Sequence, residues 1–476
     1  MDITSLPTEI LGEIIRQCSL YRADAPVILA NVNRLFYDAA HGTPRAWTRL
    51  RLSLSDDERC LVRKAGLWFS RAGSCMLDLF IDVAASEHSL TRVPEKPIAE
   101  IYHFLVAFLR HYRPRIQILN VRSDTELKAF HFIDAIYSSS YLPPNQHLQL
   151  ESLRIRITND IPLVPSTWSP VFESFSHFSG LQSLKLTNHV LPALDTPTIA
   201  NLRFLTISRS LTAHPLPPEK ILRLVGSTPA LTQLEINSRI MRQPISELRQ
   251  YTTIPALESL SLRTNNLPYI LRLLGSPSLK KLCLKDLDGR RATAGQELSL
   301  ALKELSKKAV TSDGIADGLS NLHTLEIAGV TGLHGDEWLD GYWEQCIRRM
   351  TRLERLVISD FNGEGLVNLL TGTTNASSGL AAEAVCPALK YLCLSGVRAI
   401  TPLQRLKMAR PDITVEWETT RQEKPRSGSQ PSVYAYGSGG FGFGSRFNFE
   451  RRTGNTEGGN AQSTVLRLDS DSDGTW

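Results

Sequence analysis

The spacing of apolar residues along the chain changes near Trp47. Before that residue, apolar side chains recur at intervals of one, three and four, as in Ile10, Leu11, Ile14 and Ile15, which is the spacing of one buried face of a helix. After it, short runs alternate apolar and polar residues, which is the spacing of a half-buried strand. The pattern therefore predicts a helical module at residues 1–46 and a larger α/β region at residues 47–419.

Residues that begin and end helices divide this module in two. Pro7 is tolerated in the first turn of one helix. Asp24 is a candidate N-cap for a second helix, which the apolar spacing extends to Ala40 and Gly42 ends. The two helices carry more apolar residues than so short a segment can bury alone, which favours docking to a partner. The alternative is a helical hairpin that caps a larger domain.

A six-residue pattern, L-x-x-L-x-L with aliphatic substitutions, recurs in ten places. These places begin at Ile116, Leu150, Leu181, Leu202, Leu231, Leu257, Leu279, Leu322, Leu353 and Leu389. Four of them follow a proline at the same offset, namely Pro229, Pro255, Pro277 and Pro387. In a strand, two aliphatic residues that flank one variable position share a face, and the variable residue points to the other face. The pattern is the core motif of leucine-rich repeats.

The alternative is a set of unrelated αβ units, because this motif arises easily in a leucine-rich chain. The recurrence and the shared prolines favour repeats. The interval varies from 21 residues (Leu181 to Leu202) to 43 (Leu279 to Leu322), and only Asn265 supplies the asparagine expected after the last leucine. Leucine-rich repeats have intervals of about 20–29 residues. We therefore predict an irregular leucine-rich-repeat solenoid, a horseshoe with inserted loops, over residues 47–419.

The variable positions of these strands carry charged residues that should face solvent on the concave side of the solenoid. The basic ones are Arg122, Arg154, Arg156, Lys185, Arg263 and Lys285, and the acidic exceptions are Glu235 and Glu326. One interpretation is an ordinary solvated strand face. The other is a target-binding surface for an acidic or phosphorylated protein segment, because guanidinium groups make paired hydrogen bonds to carboxylates and phosphates.

The N-terminal module also resembles an F-box. The resemblance rests on Leu6-Pro7-x-Glu9-Ile10-Leu11-x-x-Ile14, on Val32-Asn33-Arg34-x-Phe36 and on Thr43-Pro44-Arg45-Ala46-Trp47. It is greatest for the F-box-like proteins of mushroom-forming fungi. The chain departs from the family at Ala46, where a larger apolar residue is usual, and in the Ser19–Ala25 linker.

The resemblance implies that the module binds a Skp-type adaptor and, through it, a cullin. Leu6, Pro7, Ile10 and Ile14 match adaptor-facing positions, and Trp47 matches the joint with the following domain. The implied function is a substrate-recognition adaptor of a Skp–cullin–F-box E3 ubiquitin ligase, whose repeats bind an unknown target protein for ubiquitin-dependent protein degradation. The alternative is an F-box/leucine-rich-repeat interaction scaffold without ubiquitylation.

Composition and charge argue against several other classes of protein. Hydrophobic residues make up 42% of the 476 residues and charged residues 21%, which is ordinary for a globular protein. A net charge of +5 with no basic cluster does not indicate a nucleic-acid partner. The seven cysteines form no C-x-x-C pair, so we expect reduced core residues. Without a signal-peptide pattern or a long uncharged apolar stretch, we expect no membrane association and a cytoplasmic or nuclear location.

The composition changes again after residue 419, and we predict a disordered Gly/Ser-rich tail at residues 420–476. Within it, Val465, Leu466 and Leu468 precede an acidic run and resemble a SUMO-interacting motif. The glycines near Phe441 follow no predicted strand and open no helix, so we reject a nucleotide site there.

No catalytic or metal-binding motif stands out: G-x-S-x-G, H-E-x-x-H and the P-loop are absent. We therefore predict that the protein is not an enzyme and needs no cofactor or metal. A site built from residues distant in sequence is the remaining enzymatic alternative, and it should show as a deep polar pocket.

Overall fold

The strands and helices of a computed structural model follow the sequence pattern closely. The described residues are 6–83, 98–137, 148–158, 178, 180–188, 199–241, 252–288, 294–307, 310–311, 314–315, 318–330, 341–359, 364–372, 385–397 and 401–419. All of them lie in one compact unit, Met1–Arg421. The predicted tail at residues 420–476, with Val465, Leu466 and Leu468, lies outside them.

Helices occur throughout these residues. They are α1 (Thr8–Tyr21), α2 (Ala25–Ala30), α3 (Arg34–His41), α4 (Glu58–Arg71), α5 (Ile98–Ile101), α6 (His103–Tyr112), α7 (Glu126–Tyr137), α8 (Pro218–Gly226), α9 (Leu267–Leu273), α10 (Ala294–Lys307), α11 (Gly341–Arg349), α12 (Glu364–Thr371) and α13 (Thr401–Ala409). Short 3-10 turns occur at Pro44–Trp47 and Arg113–Arg115.

Strands alternate with these helices from residue 49 onward. They are β1 (Arg49–Ser53), β2 (Leu77–Asp82), β3 (Ile116–Ser123), β4 (Ser152–Ile157), β5 (Ser183–Thr187), β6 (Phe204–Ser208), β7 (Gln233–Asn237), β8 (Thr252–Thr253), β9 (Ser259–Thr264), β10 (Leu274–Gly275), β11 (Lys281–Asp286), β12 (Val310–Thr311), β13 (Gly314–Ile315), β14 (Thr324–Ala328), β15 (Arg355–Ile358), β16 (Tyr391–Val397) and β17 (Thr414–Thr419).

Thirteen of these strands form one sheet in chain order, β1 to β7 followed by β9, β11 and β14 to β17. Every neighbouring pair is parallel. Parallel neighbours need a crossover between them, and the helices occupy several of these crossovers. The predicted α/β class is thus confirmed as a mixed fold with a large parallel sheet, and each of the ten motif positions leads into a strand of it.

The strand register aligns the motif leucines across the sheet. One register line runs through Leu50, Leu79, Leu119, Leu153, Leu184, Leu205, Leu234, Leu260, Leu282, Leu325, Leu356 and Leu392, and ends at Val415. All of these side chains are buried. The residues between the buried positions form the open face, which begins with Arg49, Arg51 and Ser53 on β1. Parallel sheets are usually covered on both faces, so an open face this long is unusual.

The helical module, which we define as α1 to α3 with the Pro44–Trp47 turn, differs from prediction in its middle. The predicted second helix is divided at residues 31–33. The Asn33 side chain accepts a hydrogen bond from the Phe36 N–H at 2.9 Å, which caps α3 and starts it anew. Asp24 precedes α2, as expected, but makes no side-chain cap and instead lies 3.3 Å from Lys64 Nζ on α4.

Two tryptophans join the module to the sheet region. The buried Trp47 donates from Nε1 to the Ala40 carbonyl at 2.7 Å, and its ring meets Trp68 of α4 edge-on, with centroids 5.3 Å apart. Lys64 lies over the Trp68 ring at 5.5 Å. The module and the first crossover helix therefore share one hydrophobic core. This contact places one side of the module against the sheet region, as both docking and capping require.

We expect Leu260→Ala to lower the free energy of unfolding by about 2–5 kcal/mol, because Leu260 is fully buried between two leucines of the same register line. Ser261→Ala, its neighbour on the open face, is the matched control and should change that free energy by less than about 0.5 kcal/mol. Urea denaturation followed by circular dichroism measures both. Equal effects of the two substitutions would contradict the assigned faces.

Candidate functional site

Exposed apolar side chains concentrate in the helical module. Of the fourteen large apolar side chains that are exposed in the described part of the chain, six lie between residues 10 and 37. They are Ile10, Leu20, Tyr21, Ile28, Val32 and Tyr37. Single exposed apolar residues are normal, but their concentration on a short segment is typical of an interaction site.

Helix α1 explains part of this arrangement. Leu11 and Ile15 face the core and are buried. Ile10, Ile14 and Tyr21 have the same helical spacing but lie on an adjacent stripe of the helix surface. Ile10 is 49% exposed and Ile14 is half-buried. The helix thus uses one stripe for folding and leaves a second apolar stripe in contact with water.

The four predicted adaptor-facing residues are not equally accessible. Pro7 and Ile10 are exposed, whereas Leu6 and Ile14 are half-buried and pack against the core. Pro7 occupies the N-cap position of α1, and its carbonyl accepts from the N–H groups of Ile10 and Leu11 at 3.0 and 3.1 Å. Pro7 and Ile10 therefore lie at the first turn of α1, on its accessible side.

The six predicted target-binding residues fall into two groups on the open face. Arg122, Arg154, Arg156 and Lys185 lie on β3, β4 and β5, and Arg263 and Lys285 lie on β9 and β11. The register places Arg122 beside Arg156, Arg154 beside Lys185, and Arg263 beside Lys285. Three strand spacings separate β5 from β9, or about 14 Å at about 4.8 Å per strand. The structure thus brings four of the residues together and leaves two apart.

The first group keeps most of its charge available. Arg122 lies 3.3 Å from Asp82 and is partly neutralised. Arg154, Arg156 and Lys185 are exposed, and no described carboxylate lies within 4.0 Å of their nitrogens. In contrast, Arg263 is half-buried, and its Nε has no hydrogen-bond partner among the described residues.

Charged residues of the open face also occur where sequence reasoning did not place them. Arg49 and Arg51 on β1 add two basic residues to the same face as the first group, although the alternation of Leu50 and Leu52 was a sufficient signal for them. Arg49 lies over the Phe80 ring at 5.2 Å.

Acidic residues lie at the opposite end of the sheet. Glu416 and Glu418 are exposed on β17, and Glu416 accepts a hydrogen bond from the Tyr391 hydroxyl at 2.5 Å. Arg355 lies over the Tyr391 ring at 4.2 Å and 4.0 Å from Glu326. Glu326 was expected on this face, whereas Glu416 and Glu418 were missed because a single strand does not reveal which residues share a face with distant strands.

The Cys283 thiol on this face is not a reactive group. Burial, followed by the charge of Glu326, raises its pKa to about 12. Its Sγ donates to Glu326 at 3.3 Å. Because the thiolate is the nucleophilic form, a thiol held protonated in this way is inert near neutral pH.

Side chains of the kinds that bind metals are scattered over the described part of the chain. None of its His, Cys, Asp or Glu side chains form a group of three or more that could hold a metal ion. Within the same residues, every helix is too short or too polar to cross a bilayer.

Comparisons with known proteins assign no family to the chain. No protein-family model matches it, and no curated protein matches it. The chain has a weak structural similarity to a protein from Bacteroides fragilis of known crystal structure, with a TM-score of 0.32 and 12% sequence identity, over 61% of this chain and 69% of that one. This similarity is too low to indicate a shared function.

Asp78 is a partly buried acidic residue on β2, beside Arg49 on the open face. Its side chain is three-quarters buried, and Arg49 Nε lies 3.9 Å from its carboxylate. Burial raises the pKa of this carboxyl above its ordinary value, and Arg49 and Arg154 only partly oppose the effect. The ionised side chain therefore destabilises the folded state.

We expect Asp78→Asn to raise the free energy of unfolding near pH 7. A carboxyl whose pKa is higher in the folded than in the unfolded state costs stability above the folded pKa, and the cost vanishes below the unfolded pKa of about 3.9. The gain should therefore shrink as the pH falls through this range. Urea denaturation at several pH values measures it, with the exposed Asp56→Asn as control. A less stable Asp78→Asn variant at pH 7 would contradict this assignment.

Proposed function

We propose that this protein is a substrate-recognition adaptor of a Skp–cullin–F-box ubiquitin ligase, acting in the cytoplasm or nucleus. The observation that carries the proposal is the division of the helical module into two sides. Trp47 packs against the sheet region on one side, and six large apolar side chains of the same short segment are exposed. A module fixed to a larger domain with unused apolar surface is suited to hold a second protein.

The docking end of the adaptor is the first turn of α1 and the stripe next to its buried face. The exposed Ile10 and Pro7 would contact a Skp-type adaptor directly. The half-buried Leu6 and Ile14 would support these residues and contribute the rest of the contact surface. Burying one exposed isoleucine contributes about 1.5–3 kcal/mol, so a few such residues are enough for a specific complex.

The target-binding end is the open face of an irregular leucine-rich-repeat solenoid. The register line of buried leucines supports this assignment, because each strand aligns its buried leucine with those of its two neighbours, as stacked repeats do. The asparagine expected in such repeats is present once: the Asn265 side chain accepts from the Ile240 N–H at 2.8 Å. Exposed Arg154 and Arg156 favour a target with an acidic or phosphorylated segment.

We expect Ile10→Ala and the double substitution Leu6→Ala/Pro7→Ala each to weaken binding of a purified Skp-type adaptor by about tenfold or more. A loss of about 1.4 kcal/mol corresponds to tenfold. The matched control is Met408→Ala on α13, because Met408 is 76% exposed and apolar but lies outside the module. Isothermal titration calorimetry measures the affinities, and equal affinities for all variants would refute docking through α1.

The scaffold alternative differs from the ligase in its consequences after docking. A ligase adaptor should purify from cells with both the Skp-type adaptor and a cullin, and its targets should accumulate when Leu6→Ala/Pro7→Ala replaces the parent protein. Capture of the adaptor without a cullin, and with unchanged target levels, would instead indicate a scaffold that acts without ubiquitylation.

A further inference from the structure

The charge of the open face changes sign along the sheet. Over β1 to β5 it carries six basic side chains and two acidic ones, namely Arg49, Arg51, Arg122, Arg154, Arg156, Lys185, Asp78 and Asp82. Over β14 to β17 it carries three acidic side chains and one basic one, namely Glu326, Glu416, Glu418 and Arg355. We name these the basic end and the acidic end.

Each end keeps charge that its neighbours do not neutralise. At the basic end, Arg154, Arg156 and Lys185 are exposed without a described carboxylate in ion-pair range. At the acidic end, Arg355 is engaged by the Tyr391 ring and by Glu326. Among the described residues, Glu416 receives only the neutral Tyr391 hydroxyl, so within this part of the chain the charges of Glu416 and Glu418 on β17 stay available.

Small side chains connect the two ends. Between β6 and β16, the central register line of the open face contains Thr206, Ser261, Cys283, Val357 and Cys393, interrupted by Glu235 and Glu326. A lane of small residues lets the backbone of a bound chain approach the sheet. The middle strands carry Arg263, Lys281 and Lys285 against Glu235, so the net negative charge of the open face lies at the acidic end.

The distance between the ends sets the length of such a segment. Arg154 on β4 and Glu416 on β17 are nine strand spacings apart in the sheet, or about 43 Å at about 4.8 Å per spacing. An extended chain rises about 3.3 Å per residue, so about 13 residues cover this path.

We propose that the open face binds an extended, bipolar polypeptide segment: an acidic or phosphorylated cluster over β3 to β5, and a basic cluster about 13 residues away over β14 to β17. This inference rests on the proposed function, in which the open face holds the target. It specifies the kind of target, because an acidic cluster alone would complement the charge of the basic end but not that of the acidic end. A nucleic acid strand, negative along its whole length, would be repelled by Glu416 and Glu418.

The test uses the full chain and labelled peptides in fluorescence anisotropy at low ionic strength, where electrostatic contacts are least screened. The bipolar probe has a phosphoserine–glutamate cluster and a lysine cluster separated by about 13 glycine and serine residues. A second peptide has the same composition with the charges intermixed, a third has only the acidic cluster, and a single-stranded DNA serves as polyanion. We expect the bipolar probe to bind about tenfold more tightly than the intermixed peptide, about 1.4 kcal/mol.

Variants at each end identify the contacts. Arg154→Glu/Arg156→Glu and Glu416→Lys/Glu418→Lys should each reduce affinity for the bipolar probe at least about tenfold. Glu416→Lys/Glu418→Lys should instead strengthen binding of the purely acidic peptide. The matched control for the first variant is Lys220→Glu/Arg223→Glu, which makes the same change in net charge as Arg154→Glu/Arg156→Glu but on exposed residues of α8.

Three results would overturn the inference: a bipolar probe that binds no more tightly than the intermixed peptide, an affinity that Glu416→Lys/Glu418→Lys leaves unchanged, or DNA that binds more tightly than the bipolar probe. None of these substitutions lies in the helical module, so each variant should still bind the Skp-type adaptor. Peptide selectivity without adaptor binding would refute the ligase function alone. Adaptor binding without peptide selectivity would refute only the bipolar target.

Discussion

Each strand of the large sheet can bury its leucine only because another strand lies beside it in the same register. Leu260 illustrates the dependence, since Leu234 and Leu282 occupy the same register position on the neighbouring strands. A single strand with its crossover has too little apolar surface to offset the conformational entropy lost on folding. The neighbouring strands therefore stabilise one another. The residues between the leucines do not contribute to the hydrophobic core.

This explains how most positions of the open face can vary with little effect on stability, with the partly buried Asp78 as an exception. The buried positions of the strands carry mainly aliphatic residues, with Ser123 and Thr264 as buried polar exceptions, whereas the open face holds arginine, glutamate, serine and cysteine at equivalent positions. Exposed charges of this kind contribute little to folding. The pattern of charge on the open face is thus unconstrained by the core and is available for recognition of a partner.

The helical module lies next to the first strand of the sheet. Among the described strands β1 pairs only with β2, and the module is close to it: Arg49 on β1 donates to the Leu20 carbonyl at the end of α1, and Trp47 meets Trp68 of α4. Terminal repeats of a stacked array generally need such a cap. Capping and docking are therefore compatible, because the module uses Leu11 and Ile15 for the first and leaves Ile10 for the second.

The strands were predictable because a strand motif depends only on the order of residues within it. The motif beginning at Leu257 indicates β9 without reference to any other part of the chain. The helix break at Asn33 was not predicted, because the apolar spacing continues across it and only the Asn33 cap starts a new helix there. The ion pair between Asp24 and Lys64 was not predicted because it joins residues 40 positions apart in the sequence. Glu416 and Glu418 were missed for a related reason: only the strand register shows that Glu416 and Arg154 share a face.

Hydrogen–deuterium exchange of the full chain, with and without a purified Skp-type adaptor, tests the two-ended adaptor most directly. If the helical module is the docking end, adding the Skp-type adaptor should slow amide exchange in Thr8–Tyr21 and Ala25–Ala30 and leave exchange unchanged in Ser152–Ile157 and Ser183–Thr187 on the open face. Slower exchange confined to those strands, or no change in the helical module, would contradict it.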